Sequence, residues 1–260
     1  MVMTPEDATV EQRIDKLVDY LDRANRIVFL TGAGMSTGSG IPDFRSPDGI
    51  YSTMTSEEAF DIETFRRDPK RFYHVIAPLY RHILEAVPNA GHLAIAHLEK
   101  MSNKEVVVVT QNIDTLHTKA GSRVVHEIHG TLRTLTCQDC GRAFESETFS
   151  EQLETGTVLE CPCGGVLKPD VTFFGEELPL AALYAAQGAM FNAQLLIVLG
   201  TSMTVYPAAG LPHDCPGGVP FVMINQAPTF FDHQCDLIFR ESISEILPKA
   251  VEQLLQRKSK

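Results

Sequence analysis

The sequence predicts an α/β protein in which a parallel, doubly wound sheet carries an inserted small domain. Short apolar runs alternate along the chain with segments of helical periodicity, and this alternation is typical of a parallel sheet. Some runs are apolar throughout, such as VVVV at 106–109 and LLIVL at 195–199, which indicates strands covered on both faces. Two stretches break the alternation: 45–88 is rich in charge and aromatics, and 131–171 holds clustered cysteines. We expect these two stretches to form the small domain.

The predicted helices and strands follow one another in order. Residues 9–24 open with a capping box from Thr9 to Gln12 and carry apolar side chains on one face, which predicts a helix. The same periodicity indicates further helices over 90–101 and 242–255. Strands are predicted at RIVFL (26–30), VVVVT (106–110), VVHEI (124–128), LLIVLG (195–200), PFVMI (220–224) and DLIF (236–239).

Composition narrows the class of protein. With 260 residues, 44% of them hydrophobic, the chain can bury one full core and a small satellite domain. The formal net charge of −11 disfavours contact with a phosphate backbone, so we expect no direct binding to nucleic acid. The apolar runs are too short to span a membrane, and the acidic start lacks the apolar core of a signal peptide. These features predict a soluble, cytoplasmic protein without a membrane partner.

The cysteines predict a metal site. Four of the six cluster within 27 positions, as Cys137, Cys140, Cys161 and Cys163. In a reducing compartment, clustered pairs favour a metal over disulfides, and thiolates held at turns by the following Gly141 and Gly164 can close a tetrahedron around zinc. The second pair has one intervening residue where two are usual, and the alternative is two unpaired thiol pairs. We predict structural zinc here and interpret Cys215 and Cys235 as ordinary buried residues.

A polar cluster follows the strand predicted at 106–110. Gln111, Asn112, Asp114 and His117 come directly after this strand, and ligands of parallel sheets bind beyond the carboxyl ends of the strands. The pattern therefore indicates a binding site, although Asn112 or Asp114 as a helix cap is an alternative. We interpret His117 as structural, since a lone histidine usually packs or caps.

A glycine-rich loop, TGAGMSTGSGIPDFR (31–45), continues the first predicted strand. Glycines at 32, 34, 38 and 40 permit a tight turn and a close approach of phosphate to amide groups at the following helix start. The spacing differs from the dehydrogenase pattern, because the third glycine comes one residue late and no acidic residue clearly ends a second strand. The loop indicates nucleotide binding, with a plain flexible turn as the alternative.

Several motifs together resemble those of the sirtuins, in order and in spacing, over roughly residues 10–250. They are GAGMSTGSGIPDFRSPDGIY, TQNIDTLHTKAG, EIHGT, the two cysteine pairs, KPDVTFFGEELP, GTSMTVYPAAG and MINQ. Sirtuins are NAD-dependent protein lysine deacylases. The resemblance implies a Rossmann-like large domain (1–44, 89–130 and 172–260) with a small domain made of a helical module (45–88) and a zinc-ribbon module (131–171).

The resemblance also implies the cofactor, NAD, and the residues that bind it. Backbone groups of the loop would contact the diphosphate, and the motif with Phe44 and Arg45 would cover the nicotinamide ribose and pair with phosphate. Gln111, Ile113 and Asp114 would enclose nicotinamide. The full set implied for NAD is Gly32, Ala33, Gly34, Thr37, Phe44, Arg45, Gln111, Ile113, Asp114, Gly200, Thr201, Ser202, Asn225 and Ser242. Ser242 is the weakest match, because the family often has a glycine where this chain has IFRES.

His129 is the predicted general base. It follows the strand predicted at 124–128 at its carboxyl end, and a neutral imidazole can accept a proton near pH 7. By the resemblance, His129 would deprotonate a ribose hydroxyl of NAD, and Asn112 would position the ribose or a water. The products implied are deacylated lysine, nicotinamide and O-acetyl-ADP-ribose.

The substrate implied is an acetyl-lysine in a protein or peptide. An extended peptide can add itself to a strand edge through main-chain bonds, and the family edge matches Val171, Thr172, Phe173, Phe174, Gly175 and Glu176. Sirtuins that prefer acidic acyl groups carry a Tyr-x-x-Arg ahead of a PNAGH-like segment. Here the matching positions hold Ile76 and Leu79, and Arg81 is out of register, so we predict deacetylation.

Two other classes of function stay open on the sequence. A mono-ADP-ribosyltransferase would use the same NAD site without needing an acylated substrate. A non-enzymatic module that depends on NAD or zinc for an interaction is the second, and the presence of His129 argues against it.

Overall fold

The computed structural model describes residues 4, 8–43, 57–101 and 103–258. Phe44 and Arg45, predicted to contact NAD, lie outside the described residues. In chain order the strands are β1 (Arg26–Thr31), β2 (Glu105–Thr110), β3 (Val125–Glu127), β4 (Gly130–Cys137), β5 (Ala143–Glu145), β6 (Leu167–Val171), β7 (Leu195–Leu199), β8 (Phe221–Ile224) and β9 (Leu237–Phe239). The α-helices are α1 (Val10–Arg23), α2 (Ile62–Arg67), α3 (Pro69–Glu85), α4 (Ala90–Glu99), α5 (Leu116–Ala120), α6 (Ser150–Thr155), α7 (Leu180–Phe191) and α8 (Ile243–Lys258).

The main sheet has six strands in the order β3-β2-β1-β7-β8-β9, and every pair of neighbours is parallel. This is the strand order of the doubly wound Rossmann fold. The chain winds outward from β1 to β3 and then returns to the other side of β1 at β7. The carboxyl ends of β1 and β7 therefore form a topological switch point, where such sheets bind ligands. The predicted parallel sheet is confirmed.

Apolar clusters cover both faces of this sheet. On one face, α1, α4 and α8 pack against side chains such as Phe29, Val108 and Ile197. On the other face, α7 packs against Leu30, Val109 and Val198 through its own residues. Because alternate residues of a strand point to opposite faces, strands buried on both sides need the unbroken apolar runs seen in the sequence.

Local signals in the sequence set the start of α1. Thr9 Oγ1 accepts a hydrogen bond from the backbone N–H of Gln12 at 3.3 Å, and Gln12 Oε1 accepts one from the N–H of Thr9 at 2.9 Å. This capping box satisfies two amide donors that a helix start otherwise leaves without partners. The predicted helix is confirmed.

The two stretches that break the alternation share one further apolar core. β4 lies between β5 and β6 in an antiparallel sheet, and α6 follows β5. Side chains of this sheet and α6 pack against α2 and α3. The shared core includes Phe65, Phe72, Tyr73, Leu135, Leu153, Leu167 and Phe173. It lies beside the carboxyl ends of the main sheet, since β4 starts three residues after β3 ends.

Two expected details differ in the structure. The glycine-rich loop leads into short 3-10 helices, Ala33–Met35 and Thr37–Ser39, where a longer helix start was expected. The strand predicted over 124–128 is shorter, because pairing with β2 covers only Val125–Glu127. In the described part of the chain, no helix combines the length and the apolar character that a membrane span requires.

Candidate functional site

A large cleft opens at the carboxyl ends of the main sheet, between this sheet and the smaller antiparallel one. Its cavity volume is about 1110 Å³. The cleft brings together every described residue predicted for NAD, substrate or catalysis: Gly32, Ala33, Gly34, Thr37, Gln111, Asn112, Ile113, Asp114, His129, Val171, Thr172, Phe173, Phe174, Gly175, Glu176, Gly200, Thr201, Ser202, Asn225 and Ser242. Segments that are far apart in the chain therefore form one site.

The glycines at the start of the loop are needed for backbone contact across the switch point. The N–H of Gly34 donates to the carbonyl oxygen of Gly200 at 2.8 Å. A Cβ at Gly32 would lie 2.7 Å from the Cβ of Thr201, and a Cβ at Gly34 would lie 2.9 Å from the Cα of Gly200. Gly200 itself has a φ of 57°. The loops after β1 and β7 thus touch through their backbones, which leaves no room for side chains.

The same loop presents backbone donors to the cleft. Ala33 and Thr37 are the first residues of the two 3-10 helices, where backbone N–H groups have no partner inside the helix. Both residues line the cleft. Amide groups in this position suit an anionic group such as a diphosphate.

Ser36 links the loop to the polar cluster after β2. Its Oγ donates to Asp114 Oδ2 at 2.5 Å and accepts from Asn112 Nδ2 at 3.1 Å. Asn112 Nδ2 also donates to the carbonyl oxygen of Gly32 at 3.0 Å. Both amide hydrogens of Asn112 are therefore engaged, which leaves its amide oxygen to accept from a ligand.

Asp114 forms the buried end of this network. The residue is 4% exposed, and Oδ1 accepts from the N–H of Leu116 at 2.9 Å. Burial raises the pKa of Asp114, and the hydrogen bond from Ser36 opposes that rise. The N-cap residue of α5 is Thr115, so the alternative that Asp114 is the helix cap does not hold, although Asp114, one residue earlier, accepts from the first N–H of the helix. Asp114 also lines the cleft.

His129 lies at the point where the two sheets meet. Its Nδ1 is 3.0 Å from the carbonyl oxygen of Gln111, so Nδ1 carries the proton and donates. In the neutral ring Nε2 is then the acceptor. Burial lowers the pKa of His129, and the bond to Gln111 opposes that change. The imidazole is accordingly neutral at pH 7 and able to take up a proton.

The predicted substrate edge is a turn and not one extended strand. β6 ends at Val171, and the N–H of Glu176 donates to the carbonyl oxygen of Phe173 at 3.0 Å. The N–H of Phe174 donates to Phe60 at 2.8 Å, so that part of the edge is already paired. Gly175, with a φ of 88°, allows the reversal.

Helix α3 supplies apolar side chains to the cleft wall. Leu79 and Ile83 line the cleft, whereas Ile76 is fully buried in the core of the smaller sheet. Arg81 is exposed and is not part of the wall. Ile76 and Leu79 occupy the positions that match the Tyr-x-x-Arg of other sirtuins. Of these two, Leu79 lines the cleft and Ile76 does not, and Ile83 is the second apolar residue of α3 in the wall.

The cleft wall carries acidic groups and no lysine or arginine within the described part of the chain. Its charged members are Asp43, Asp114, Glu176, Glu177 and Glu241. Glu241 is held by Arg13, whose Nη2 is 2.6 Å from Glu241 Oε1. Among the described residues, the donors available to an anion in the cleft are therefore backbone N–H groups and side-chain amides or hydroxyls.

The four clustered cysteines converge on one point. Their sulfur atoms all lie within 4.8 Å of one another, with Cys137 Sγ 3.5 Å from Cys163 Sγ and Cys140 Sγ 3.7 Å from Cys161 Sγ. A tetrahedral site with Zn–S bonds of about 2.3 Å needs sulfur separations of about 3.8 Å, so the four thiols fit zinc. The shortened second pair does not prevent this arrangement.

Glycines make room for these thiols. Gly141 and Gly164 have φ values of 70° and 92°, as the turns after each pair require. A Cβ at Gly165 would lie 2.7 Å from Cys137 Sγ. The N–H of Cys140 donates to Cys137 Sγ at 3.5 Å, and this bond, together with others from Asp139 and the neighbouring thiols, lowers the pKa of Cys137 to about 6. A thiolate is thus favoured at Cys137, whereas the neighbouring thiols raise the pKa of Cys163.

Sequence reasoning missed Ser36 and His92 near the cleft, whereas His117 was interpreted as a structural histidine and is buried. Ser36 lies inside the glycine-rich motif, and a hydroxyl in such a loop was a usable signal. The imidazoles of His92 and His117 pack behind the polar cluster, and His117 Nε2 is 3.1 Å from Thr31 Oγ1. No pattern in the sequence joins these two histidines, because β2 and its flanking segments separate them.

The fold and the cleft define a nucleotide-binding α/β protein with a second sheet that holds four cysteines. The model of the Sir2 family matches residues 32–207. The NAD-dependent protein deacetylase of Saccharolobus solfataricus is 39% identical over 245 residues, which cover 94% of this chain and 98% of that protein. The chain belongs to the Sir2 family, the sirtuins.

Solved structures agree with this assignment. A Sir2 enzyme solved to study mechanism and regulation has a TM-score of 0.88 and 37% identity, over 95% of this chain and 99% of that one. A Sir2 protein solved with a p53 peptide and NAD+ has a TM-score of 0.84 and 38% identity, over 92% of this chain and 98% of the other.

Proposed function

We propose that this protein is an NAD-dependent protein lysine deacetylase that releases nicotinamide and O-acetyl-ADP-ribose. The observation that carries the proposal is the position of His129, which lines the same cleft as the glycine-rich loop and the 171–176 turn and whose Nδ1 is bonded to Gln111, so that Nε2 is the unprotonated nitrogen. A base placed between a nucleotide site and a peptide site suits transfer of an acyl group from one to the other. The relatives named as deacetylases and the one solved with peptide and NAD+ support the same activity.

NAD would lie along the carboxyl ends of β1, β2, β7 and β8. The backbone N–H groups of Ala33 and Thr37 would donate to its diphosphate. Asp114 and the backbone near Ile113 would hold the nicotinamide carboxamide. The adenosine half would contact Gly200, Thr201, Ser202, Asn225 and Ser242, which line the far part of the cleft.

Bound NAD would supply the ribose carbon from which nicotinamide departs and the ribose hydroxyl that receives the acyl group, and one water molecule would be consumed as the lysine amine is released. His129 would take the proton of that hydroxyl on Nε2, while its Nδ1–H stays bonded to Gln111. Asn112, held by Gly32 and Ser36, orients the ribose through its amide oxygen.

The substrate is an acetylated lysine within a protein or peptide. Its backbone would bind against the 171–176 turn, and the side chain would enter between Phe174, Leu79 and Ile83. These apolar walls fit a neutral acyl group. Zinc, held by the cysteine cluster, would stabilise the antiparallel sheet and take no part in the chemistry, because four protein ligands leave no open position.

One experiment separates this function from the other candidates. The protein is incubated with NAD and a peptide, acetylated or not, and nicotinamide, peptide mass and O-acetyl-ADP-ribose are measured. We expect nicotinamide release only with the acetylated peptide, in equal amounts with deacetylated product. Nicotinamide release with ADP-ribose attached to protein would indicate a transferase, and NAD binding without turnover would indicate a non-enzymatic module.

A further inference from the structure

Lys168 is a buried cation next to the cleft. It lies on β6, its residue surface is 6% exposed, and it is not part of the cleft wall. Its Nζ donates to the carbonyl oxygens of Pro169 at 3.2 Å and Val171 at 2.7 Å, and it lies 2.9 Å from Glu176 Oε2. An ammonium group has three N–H donors, so these partners use all of them.

The partners of Lys168 fix both ends of the substrate-facing turn. Val171 is the first residue of this turn and Glu176 is the last. Glu176 Oε2 also accepts from the N–H of Phe173 at 2.8 Å, and Lys168 Nζ lies 4.1 Å from the centre of the Phe173 ring. The ammonium group of Lys168 therefore contacts the first residue of the turn, Val171, the ring of Phe173, and the last residue, Glu176.

The same turn is bonded to the general base proposed above. The N–H of Thr172 donates to the carbonyl oxygen of His129 at 2.9 Å. Phe174, Gly175 and Glu176 line the cleft directly. Any shift of Glu176 would move the wall on which a peptide binds, while the nucleotide side, held by Ser36, Asn112 and Gly200, has no contact with Lys168.

We propose that Lys168 is a positioning residue for the acyl-lysine polypeptide, acting through Glu176 and the carbonyl oxygen of Val171 to hold the 171–176 turn. This inference rests on the proposed deacetylase function. It assigns Lys168 to peptide affinity and not to NAD binding or to the chemical step.

Lys104 offers a matched control. It is also a buried lysine, 8% exposed, and its Nζ donates to the carbonyl oxygens of Leu21, Asp22 and Ala24 at 2.7, 2.9 and 2.6 Å. Those carbonyls lie at the end of α1, just before β1 begins. They are therefore near the amino-terminal ends of the strands, whereas the cleft lies at the carboxyl ends. Loss of Lys104 should cost stability without changing either substrate site.

The test compares Lys168→Met, Lys168→Arg and Lys104→Met by steady-state kinetics with an acetylated peptide, at a temperature where each is folded. We expect Lys168→Met to raise the KM for peptide about tenfold or more, with kcat and the KM for NAD within about twofold, because a charge-assisted hydrogen bond is lost. Lys168→Arg should recover much of the peptide affinity. Lys104→Met should lower Tm and leave both KM values unchanged.

Contrary results have distinct meanings. An unchanged KM for peptide in Lys168→Met would overturn the proposal. Equal increases in the KM values for peptide and for NAD, in proportion to a decrease in Tm, would overturn it as well. If Lys168→Met does not fold, Glu176→Gln replaces it, since that change keeps the shape and removes the carboxylate charge, and a peptide KM that does not rise would likewise overturn it. Failure of the deacetylase function itself would show as wild-type protein that releases no nicotinamide with acetylated peptide.

Discussion

The Nδ1 atom of His129 lies 3.0 Å from the carbonyl oxygen of Gln111 and so joins the segments that follow the neighbouring strands β2 and β3. Since a carbonyl can only accept, this bond fixes the tautomer and leaves Nε2 without a proton. Two predictions depend on it.

His129→Ala should bind NAD normally and lose deacetylation by roughly a hundredfold or more, the range for a positioned general base. NAD affinity is measured by calorimetry and turnover by O-acetyl-ADP-ribose formation. His126→Ala is the control, because His126 lies within β3 and outside the cleft wall. Near-normal turnover in His129→Ala would remove this residue from the catalytic role.

The pH dependence of kcat/KM should show an acid limb that lies below the ordinary histidine pKa of 6.5, because burial lowers the pKa of His129. The active form is the neutral imidazole, so activity is full above 6.5 and falls as the pH drops through the lowered pKa. The profile is measured with saturating NAD and low peptide. An acid limb centred above 6.5 would contradict a buried, neutral base at this position.

Acetyl-lysine should be preferred to succinyl-lysine by at least about tenfold in kcat/KM, because an unpaired buried carboxylate costs several kcal/mol. The cleft wall has Leu79 and Ile83 on α3 and carries no lysine or arginine in the described part of the chain. The two acyl groups are compared on one peptide sequence. Equal or better use of the succinyl peptide would point to a cation that reaches the cleft, and Arg81→Ala would then identify whether Arg81 is that cation.

Zinc removal should unfold the antiparallel sheet. The purified protein should contain about one zinc per chain, and Cys137→Ser should lower both zinc content and Tm, because metal binding at such a site contributes folding free energy. Metal content is measured by mass spectrometry and stability by thermal unfolding. Cys215→Ser is the control, since Cys215 lies outside the cluster. Full stability of metal-free protein would reject a structural role.

The parallel sheet and the residues that line the cleft were both predictable from the sequence. Strands covered on both faces need unbroken apolar runs, and polar residues that follow such runs must meet at the same edge. This reasoning placed Gln111, Asn112 and His129 correctly in one cleft. The cysteine spacing predicted a cluster in the same way, because thiols at turns can converge only when glycines permit the turns.

Other features depend on contacts between distant segments, which no local pattern records. The close approach of Gly34 to Gly200 joins the loops after two strands that are neighbours only in the folded sheet. The resemblance implied a substrate-binding strand over 171–176, but Gly175 and the bond to Phe60 reverse the chain there. The sequence analysis did not single out Lys168, because its partners are two backbone carbonyls and Glu176, contacts that form only when β6 and the turn fold together.

The last prediction concerns the histidine pair behind the cleft. The rings of His92 and His117 have centroids 4.7 Å apart, and their residue surfaces are 0% and 2% exposed. Burial lowers the pKa of His92 to about 4 and that of His117 well below 6.5. Both rings are therefore neutral in the folded protein at pH values where the unfolded chain already binds protons.

The free energy of unfolding should consequently rise with pH between about 4 and 6.5, because the unfolded state binds more protons than the folded state in that window. For His92, a change of the pKa from 6.5 to about 4 corresponds to roughly 3 kcal/mol of unfolding free energy, which is present above pH 6.5 and lost as the pH falls towards 4.

Urea unfolding of the wild type and of His92→Asn at pH 7.5 and 5 measures this contribution. The asparagine keeps an acceptor for the N–H of Asn89, which now donates to His92 Nδ1 at 3.3 Å. His97→Asn, an exposed site on the same helix, should leave the pH dependence unchanged, whereas His92→Asn should reduce it. The same pH dependence in all three proteins would show that His92 is not held neutral by burial.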